Sequence, residues 1–379
     1  AAASLLLSLA WAYLLLLTLC SRQPGRSPPG GRQLKFAIVV PAHNEAGGIA
    51  ATVADLRALD WPRRQFSVIV VADNCTDDTA TQAAAAGARV LQRNDPSRRG
   101  KGYALEFAFA QLLGEAWADA VVVIDADTRA DAHLLASLAS AITGGAQVVQ
   151  AHYAVLNPDA SWRTRLMTIA MAAFHAVRSR GREFLNLSCG IRGNGWCLTR
   201  QVMQAVPYRA YGLVEDVEYG GRLALDGYRV AYLEAACVRA AMVSRAEHAA
   251  SQRRRWELGR RQLRRSMAPA LLGAAFRPHG RVCLDLAADL LVPPLTQLVL
   301  LTAAATAVAL YLHIGSAAWL GATDFVALVL YVGRGWHLSG LGWRCAADFL
   351  RAPWFMLWKL AVLLKPHSGL WTRTQREHT

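Results

Sequence analysis

Residues Lys35–Glu45 read KFAIVVPAHNE. A short apolar run rich in β-branched residues, closed by proline and then by polar residues, predicts a strand buried on both faces. Working outward, Ala46–Leu59 has a helical pattern and Phe66–Ala72 (FSVIVVA) repeats the buried-strand signal. A helix is expected from near Thr76, a short strand over Ala88–Gln92, a helix over Lys101–Leu113 and a further strand over Ala120–Asp125 (AVVVID). This alternation predicts an α/β fold, a Rossmann-like, mostly parallel sheet with flanking helices. Such sheets bind ligands beyond the carboxyl ends of their strands. There the first strand ends on Pro41-Ala42-His43-Asn44-Glu45, the next on Asp73-Asn74 and the last on Asp125-Ala126-Asp127. Three polar strand ends on one sheet edge mark the candidate site.

The 379 residues include 41 Lys plus Arg and 27 Asp plus Glu, a net charge of +14. Hydrophobic residues make up 54% and charged residues 18%, against roughly a quarter charged in a soluble domain. That balance excludes a disordered chain and argues for a membrane protein with a basic cytoplasmic face. Seven cysteines form no CxxC pair and are odd in number, so neither a zinc site nor a disulfide framework is expected.

Ser4–Cys20 carries no charge and is long enough to span a bilayer; Arg22, Arg26, Arg32 and Lys35 follow it and place that end in the cytoplasm. Residues 1–21 are therefore read as a transmembrane helix and 33–240 as the cytoplasmic catalytic domain. Two further spans are expected within 284–333, one over Leu284–Ile314 with Pro293-Pro294 inside it and one over Ala317–Val332. Cys345–Leu364 mixes Asp348, Arg351 and Lys359 with Trp354 and Trp358, which suits a helix lying in the membrane interface. Two spans after the domain return the basic tail (Arg373, Arg376) to the cytoplasm, completing 343–379 as an interfacial helix and tail.

Several strings carry chemistry. Asp125 and Asp127 put two carboxylates in a turn, as a hard divalent cation requires when phosphates complete its shell; a solvated surface turn is the plain alternative. In Asp73-Asn74-Cys75-Thr76-Asp77-Asp78-Thr79, Thr76 suits a helix cap and the two following acids suit the positive helix end. Asp73 lies ahead of the cap and is free to contact a nucleoside. Arg98-Arg99-Gly100-Lys101-Gly102 opens a helix and combines free N–H groups with cations, an anion site without P-loop spacing. Glu215-Asp216 opens another helix, either as caps or with one acting as a general base. Ser251–Arg265 carries seven arginines and one glutamate, and 241–280 is read as basic interfacial helices. Its Arg255 can neutralise a leaving diphosphate and Trp256 can stack on a sugar. Nucleic acid is not expected as a partner beside membrane spans. The loop Ser188–Trp196 is glycine-rich, permitting close backbone approach to a ligand, and follows an amphipathic, basic segment over Trp162–Arg182.

In order, VVPAHNE (39–45), VADNCTDDT (71–79), RGKGYAL (99–105), IDADT (124–128), VED (214–216) and QRRRW (252–256) resemble the membrane-bound family 2 glycosyltransferases, over roughly residues 35–265. The resemblance implies a GT-A fold, a nucleotide-sugar donor, in the first instance a UDP-sugar, and Mg²⁺ or Mn²⁺. It implies that Pro41, Asn44, Glu45 and Asp73 hold the nucleoside, that Lys101 lies near the nucleotide, and that Asp125 and Asp127 bind the phosphates through the metal. It further implies that Asp216, beside Glu215, is the base and that Gln252, Arg255 and Trp256 close over diphosphate and acceptor. The last motif is similar to QxxRW of cellulose, chitin and hyaluronan synthases, though Val214 stands where threonine is usual and only two spans follow the domain.

The resulting expectation is an inverting, metal-dependent glycosyltransferase of the cytoplasmic (inner) membrane, multi-pass, with its catalytic domain facing the cytoplasm. The acceptor is expected to be membrane-proximal, a growing exopolysaccharide or lipid-linked glycan, and other polysaccharide-assembly proteins are candidate partners. Competing readings are a membrane-anchored nucleotidyltransferase, transfer to a polyprenyl phosphate and a non-catalytic scaffold.

Overall fold

A computed structural model describes residues 2–23, 25, 31–242 and 246–364, without the side chains of 246–253 and 362–364. The side chain of Gln252 and the tail with Arg373 and Arg376 lie outside the described residues.

In chain order the elements are α1 (Ala2–Leu19), β1 (Phe36–Ala42), α2 (Ile49–Arg57), β2 (Phe66–Asp73), α3 (Thr79–Ala85), β3 (Arg89–Arg93), α4 (Lys101–Glu115), β4 (Ala120–Val123), β5 (Thr128–Ala130), α5 (Leu134–Thr143) and β6 (Val148–Val155). They continue with α6 (Trp162–Met171), one π-helical stretch (Ala172–Val177), α7 (Arg178–Phe184), β7 (Trp196–Thr199), α8 (Arg200–Ala205), α9 (Glu215–Leu225) and β8 (Val230–Ala240). Then come α10 (Ala246–Ser266), α11 (Ala268–Gly273), α12 (Gly280–Leu291), α13 (Leu295–Tyr311), α14 (Gly315–Ser339), a 3₁₀ segment (Gly342–Arg351) and α15 (Ala352–Leu364).

The strands form one eight-stranded sheet in the order β3-β2-β1-β4-β7-β6-β8-β5. From β3 to β4 all pairings are parallel; β7 runs antiparallel to both neighbours, β6 and β8 are parallel, and β5 closes the edge antiparallel. The apolar runs are continuous because both sheet faces are covered. Phe36, Ile38 and Val40 pack under α2 and α5 through Val53, Leu56, Leu134 and Leu138. Ala37 and Val39 pack on the other face against Leu105 and Phe109 of α4 and Tyr219 of α9. Because β1, β2 and β4 run parallel, with Ala42 opposite Ala72 and Val39 opposite Val123, their polar termini lie on one edge.

Three expectations need correction. The helix expected near Thr76 starts at Thr79, because the Thr76 N–H is held by Asn44 Oδ1 at 2.8 Å and the Asp77 carboxylate takes the Thr79 N–H at 3.1 Å. Leu284–Ile314 is kinked, as prolines inside it require: Pro293-Pro294 separates α12 from α13, which are bent by 68°. Among the described residues two helices are long and apolar enough to cross a membrane, α1 and α14; the bent pair makes a third only as one broken span. Trp162–Arg182 does not present its basic face to solvent: Arg178, Arg180 and Arg182 are buried. Cys345–Leu364 is not a single helix, since Asp348, buried between Arg165 (2.6 Å) and Arg351 (3.2 Å), lies in the 3₁₀ segment.

Candidate active site

The strand ends meet helix starts above the sheet edge. β4 stops at Val123 and the chain turns, putting Asp125 and Asp127 in half-buried positions. Gly100, at φ +132°, precedes the first residue of α4, Lys101. That left-handed backbone aims Lys101 inward, and its Nζ donates to Asp125 Oδ1 at 2.7 Å and to the Gly193 carbonyl at 2.7 Å. Glu215 Oε1 stands 3.7 Å from the same ammonium. The glycine-rich loop completes the frame: Asn194 Oδ1 accepts the Asp125 N–H at 3.1 Å, and its Nδ2 donates to Thr128 Oγ1 at 2.7 Å. Gly193 faces Asp216 so closely that a Cβ there would lie 3.5 Å from Asp216 Oδ2. Lys101 therefore bridges Asp125 and Glu215, distant in sequence, with Asp216 next to them across Gly193.

Electrostatics follow from burial. Burial pushes the Glu215 carboxyl up to about 7; the Lys101 charge opposes the rise and the Asp216 charge adds to it. Asp216 is raised for the same reason, again against the pull of Lys101. Burial alone would lower Lys101, but the charges of Asp125 and Glu215 outweigh it and hold the ammonium above the usual lysine range. Glu218 also braces this turn: its Oε2 accepts the Gly212 N–H at 3.1 Å while Oε1 pairs with Arg222 at 3.0 Å.

Beside this cluster lies a second group. Asp73, ending β2, is buried and pairs with Arg93 of β3 at 2.6 Å; its carbonyl contacts His43 Nδ1 at 2.8 Å. Asn44, at φ +55°, braces Thr76, while the buried Glu45 uses its N–H on Thr79 Oγ1 at 2.7 Å and its carbonyl to start α2. Pro41 lies within β1, in register with Val71. The Arg93 guanidinium also sits 5.7 Å above the Tyr103 ring, which stacks on Tyr211 at 4.4 Å. Arg93, Tyr103, Tyr211 and Asn194 escape a reading of the sequence. Tyr103, within RGKGYAL, and Asn194, within the glycine-rich loop, lay in strings that carried a signal.

α10 is seated against the Glu215-Asp216 turn. A Cβ on Gly259 would lie 2.9 Å from Val214 Cγ2 and 3.1 Å from Leu213 Cβ, so only glycine lets this helix approach. Arg255, four residues earlier, shares that helical face. It is partly buried, and its Nε lacks a hydrogen-bond partner among the described residues. Trp256 is exposed.

Among the described residues no three His, Cys, Asp or Glu side chains gather around one point for a metal ion. Asp125 and Asp127 still offer hard oxygen donors, one oxygen of Asp125 being taken by Lys101. The set fits Mg²⁺ or Mn²⁺ when substrate phosphates supply the remaining oxygens.

A family model described as glycosyltransferase like family 2 matches residues 32–259, more than half of the chain. The probable glycosyltransferase YdaM of Bacillus subtilis is 26% identical over 213 residues, covering 53% of this chain and 49% of that protein. A beta-monoglucosyldiacylglycerol synthase of Synechocystis is 29% identical over 235 residues, covering 59% and 47%. The chain thus spans about half the length of these curated relatives. Among solved structures, mannosyltransferase PcManGT from Pyrobaculum calidifontis in complex with GDP-Man and Mn²⁺ is similar with a TM-score of 0.59 at 20% identity, covering 93% of this chain and 99% of that one. At that identity the likeness speaks for a shared GT-A-like fold. Because the family match covers the sheet and both helix starts that carry Lys101 and Asp216, the chain belongs to glycosyltransferase family 2.

Proposed function

We propose that the protein moves a sugar from a nucleotide-sugar, a UDP- or GDP-sugar, to a membrane-proximal acceptor hydroxyl by a single, inverting displacement. The observation that carries this reading is the Lys101 ammonium shared between Asp125 and Glu215, with Asp216 beside it across Gly193. A buried carboxylate of raised pKa is a competent general base. Asp216 takes the acceptor proton as its oxygen attacks the anomeric carbon. Lys101 holds Asp125 in place and keeps Glu215 and Asp216 available in charged form. Arg255 neutralises the departing diphosphate, and Gln252 and Trp256 bound the acceptor side. Asp73, Asn44, Glu45 and Pro41 frame the nucleoside, with Arg93 orienting Asp73. Asp125 and Asp127 would hold a divalent ion, whose charge would help neutralise the donor phosphates.

The apolar helices α1 and α14 support a place at the membrane, and the arginines that follow α1 and line α10 favour its cytoplasmic side for the catalytic domain. A growing glycan or a lipid-linked acceptor is then within reach. A nucleotidyltransferase would leave Arg255 and Trp256 without a role. Incubating the purified chain with UDP- and GDP-sugars and candidate acceptors, then determining product mass and anomeric configuration, tests the proposal. Retention of configuration, or pyrophosphate release from nucleoside triphosphate and sugar phosphate, would refute it.

A further inference from the structure

Four arginines converge on two aspartates behind the glycine-rich loop. Arg178 and Arg182 belong to α7, Arg192 precedes Gly193, and Arg260 lies on α10; Asp285 and Asp289 are one turn apart on α12. Arg182 Nε donates to Asp285 Oδ2 at 2.7 Å, and its Nη2 lies 2.8 Å from Asp289 Oδ1. Arg178 Nη1 donates to Asp289 Oδ1 at 2.9 Å, whereas Arg192 Nη1 reaches Asp289 Oδ2 only at 3.6 Å. Arg260 donates to the backbone carbonyls of Asp289 and Val292, adding a fourth cation to the cluster.

Four cations stand against two anions inside the cluster, an excess of two positive charges. Buried charge is costly unless paired. Of the neighbouring acids, Glu234 is paired with Arg180 and Glu183 with Arg229, while Glu257 of α10 acts on Arg260 and reduces the excess without removing it. A second observation points the same way. Arg182 Nη1 and Arg192 Nη2 have no hydrogen-bond acceptor among the described residues, although their side chains are only 0% and 5% exposed.

The location is specific. On one side, Gly193 follows Arg192 and faces Asp216. On the other, Arg182 Nη2 donates to Tyr13 Oη of α1 at 2.5 Å and Arg178 Nε to Tyr331 Oη of α14 at 2.9 Å. The cluster thus lies between the reaction centre and the two apolar helices.

We infer that this arginine cluster binds a phosphate group, carried by an amphiphile lying along α1 and α14 or by a free phosphorylated molecule. A phosphate monoester brings about −1.5 to −2 charge at neutral pH, which matches the excess, and planar guanidinium groups suit its oxygens. Assigning that phosphate to the acceptor rests on the glycosyl-transfer reading; the anion site itself does not.

The test uses the full chain in a phosphate-free, non-ionic detergent at constant ionic strength. Its thermal midpoint is followed while inorganic phosphate, a long-chain alkyl monophosphate or the parent alcohol is added. A saturable rise with phosphate compounds and none with the alcohol is expected. A response to the alkyl phosphate at lower concentration than to inorganic phosphate assigns the amphiphile; equal responses assign a free phosphate. Arg192→Gln should weaken the response by about tenfold or more, the loss of a charged hydrogen bond. UDP and GDP titrations in the same samples report the nucleotide site separately and show that the variant is folded. Should Arg192→Gln lose nucleotide binding, Arg192→Lys, which keeps the charge but not the second Nη, replaces it with the same expected direction. No phosphate response, an undiminished response in the folded variant, or displacement of phosphate by UDP or GDP overturns the site. Phosphate binding without any nucleotide binding would leave this site standing and remove the glycosyl-transfer reading.

Discussion

Lys101 Nζ lies 2.7 Å from Asp125 Oδ1, a contact between the first residue of α4 and the turn after β4. The same ammonium is the cation nearest in effect to Glu215 and Asp216. Lys101→Met should therefore raise both carboxyl pKa values further and move the acid limb of the pH–rate profile to higher pH. An unmoved limb would show that neither carboxyl controls turnover.

Glu215 carries a linked consequence for stability. Its pKa is about 7 in the fold, against 4.5 as the ordinary value. The folded state thus holds the proton more tightly than the unfolded state. Glu215's contribution to stability is full below pH 4.5 and is lost as pH rises towards about 7, by roughly 3 kcal/mol at 1.36 kcal/mol per unit. Glu215→Gln should flatten that slope, as read by denaturant melts between these two limits. An unchanged slope would locate the pH dependence elsewhere.

Asp216→Asn removes the proton acceptor but leaves the shape of the turn. Turnover should drop by roughly 10²–10⁴-fold while nucleotide affinity holds, as measured by initial rates and calorimetry. Full activity would transfer the base role to another group.

Divalent ion dependence should run through Asp127. With wild-type protein, chelator should weaken donor binding by several kcal/mol, about a hundredfold or more. In Asp127→Ala that increment should vanish, so that titrations with and without Mn²⁺ coincide. A persisting Mn²⁺ effect would exclude Asp127 as a ligand.

Gly102 packs α4 onto a neighbouring backbone: an added Cβ would sit 2.0 Å from the Ala210 carbonyl oxygen. Gly102→Ala should cost about 1–3 kcal/mol by overpacking and also reduce turnover, because Lys101 precedes it. Gly114→Ala, on the same helix with open space around it, should be neutral or stabilising by up to about 1 kcal/mol. Equal melting points for the two variants would contradict the close approach.

The local signals were strong where one physical cause acts alone. Val39, Val71 and Val123 lie in runs too apolar for anything but a strand covered on both faces, so β1, β2 and β4 could be read directly. Thr76 shows the opposite case. It looks like a cap in isolation, yet Asn44, thirty-two residues away, captures its N–H and shifts the helix start to Thr79. Arg93 was invisible because nothing in a short β-strand announces that its guanidinium reaches Asp73.

The sequence alone determined the α/β alternation, the polar strand ends, the apolar helices and the ordered motifs of a family 2 glycosyltransferase, since each depends on periodicity or composition within a few turns of chain. It took the folded arrangement to show that Lys101 serves Asp125 and Glu215 together, and that Arg178 and Arg182 are buried against Asp289 and Asp285. A charge in a sequence carries no dielectric with it. Whether it is solvated, paired or left in excess depends on which distant element folds over it.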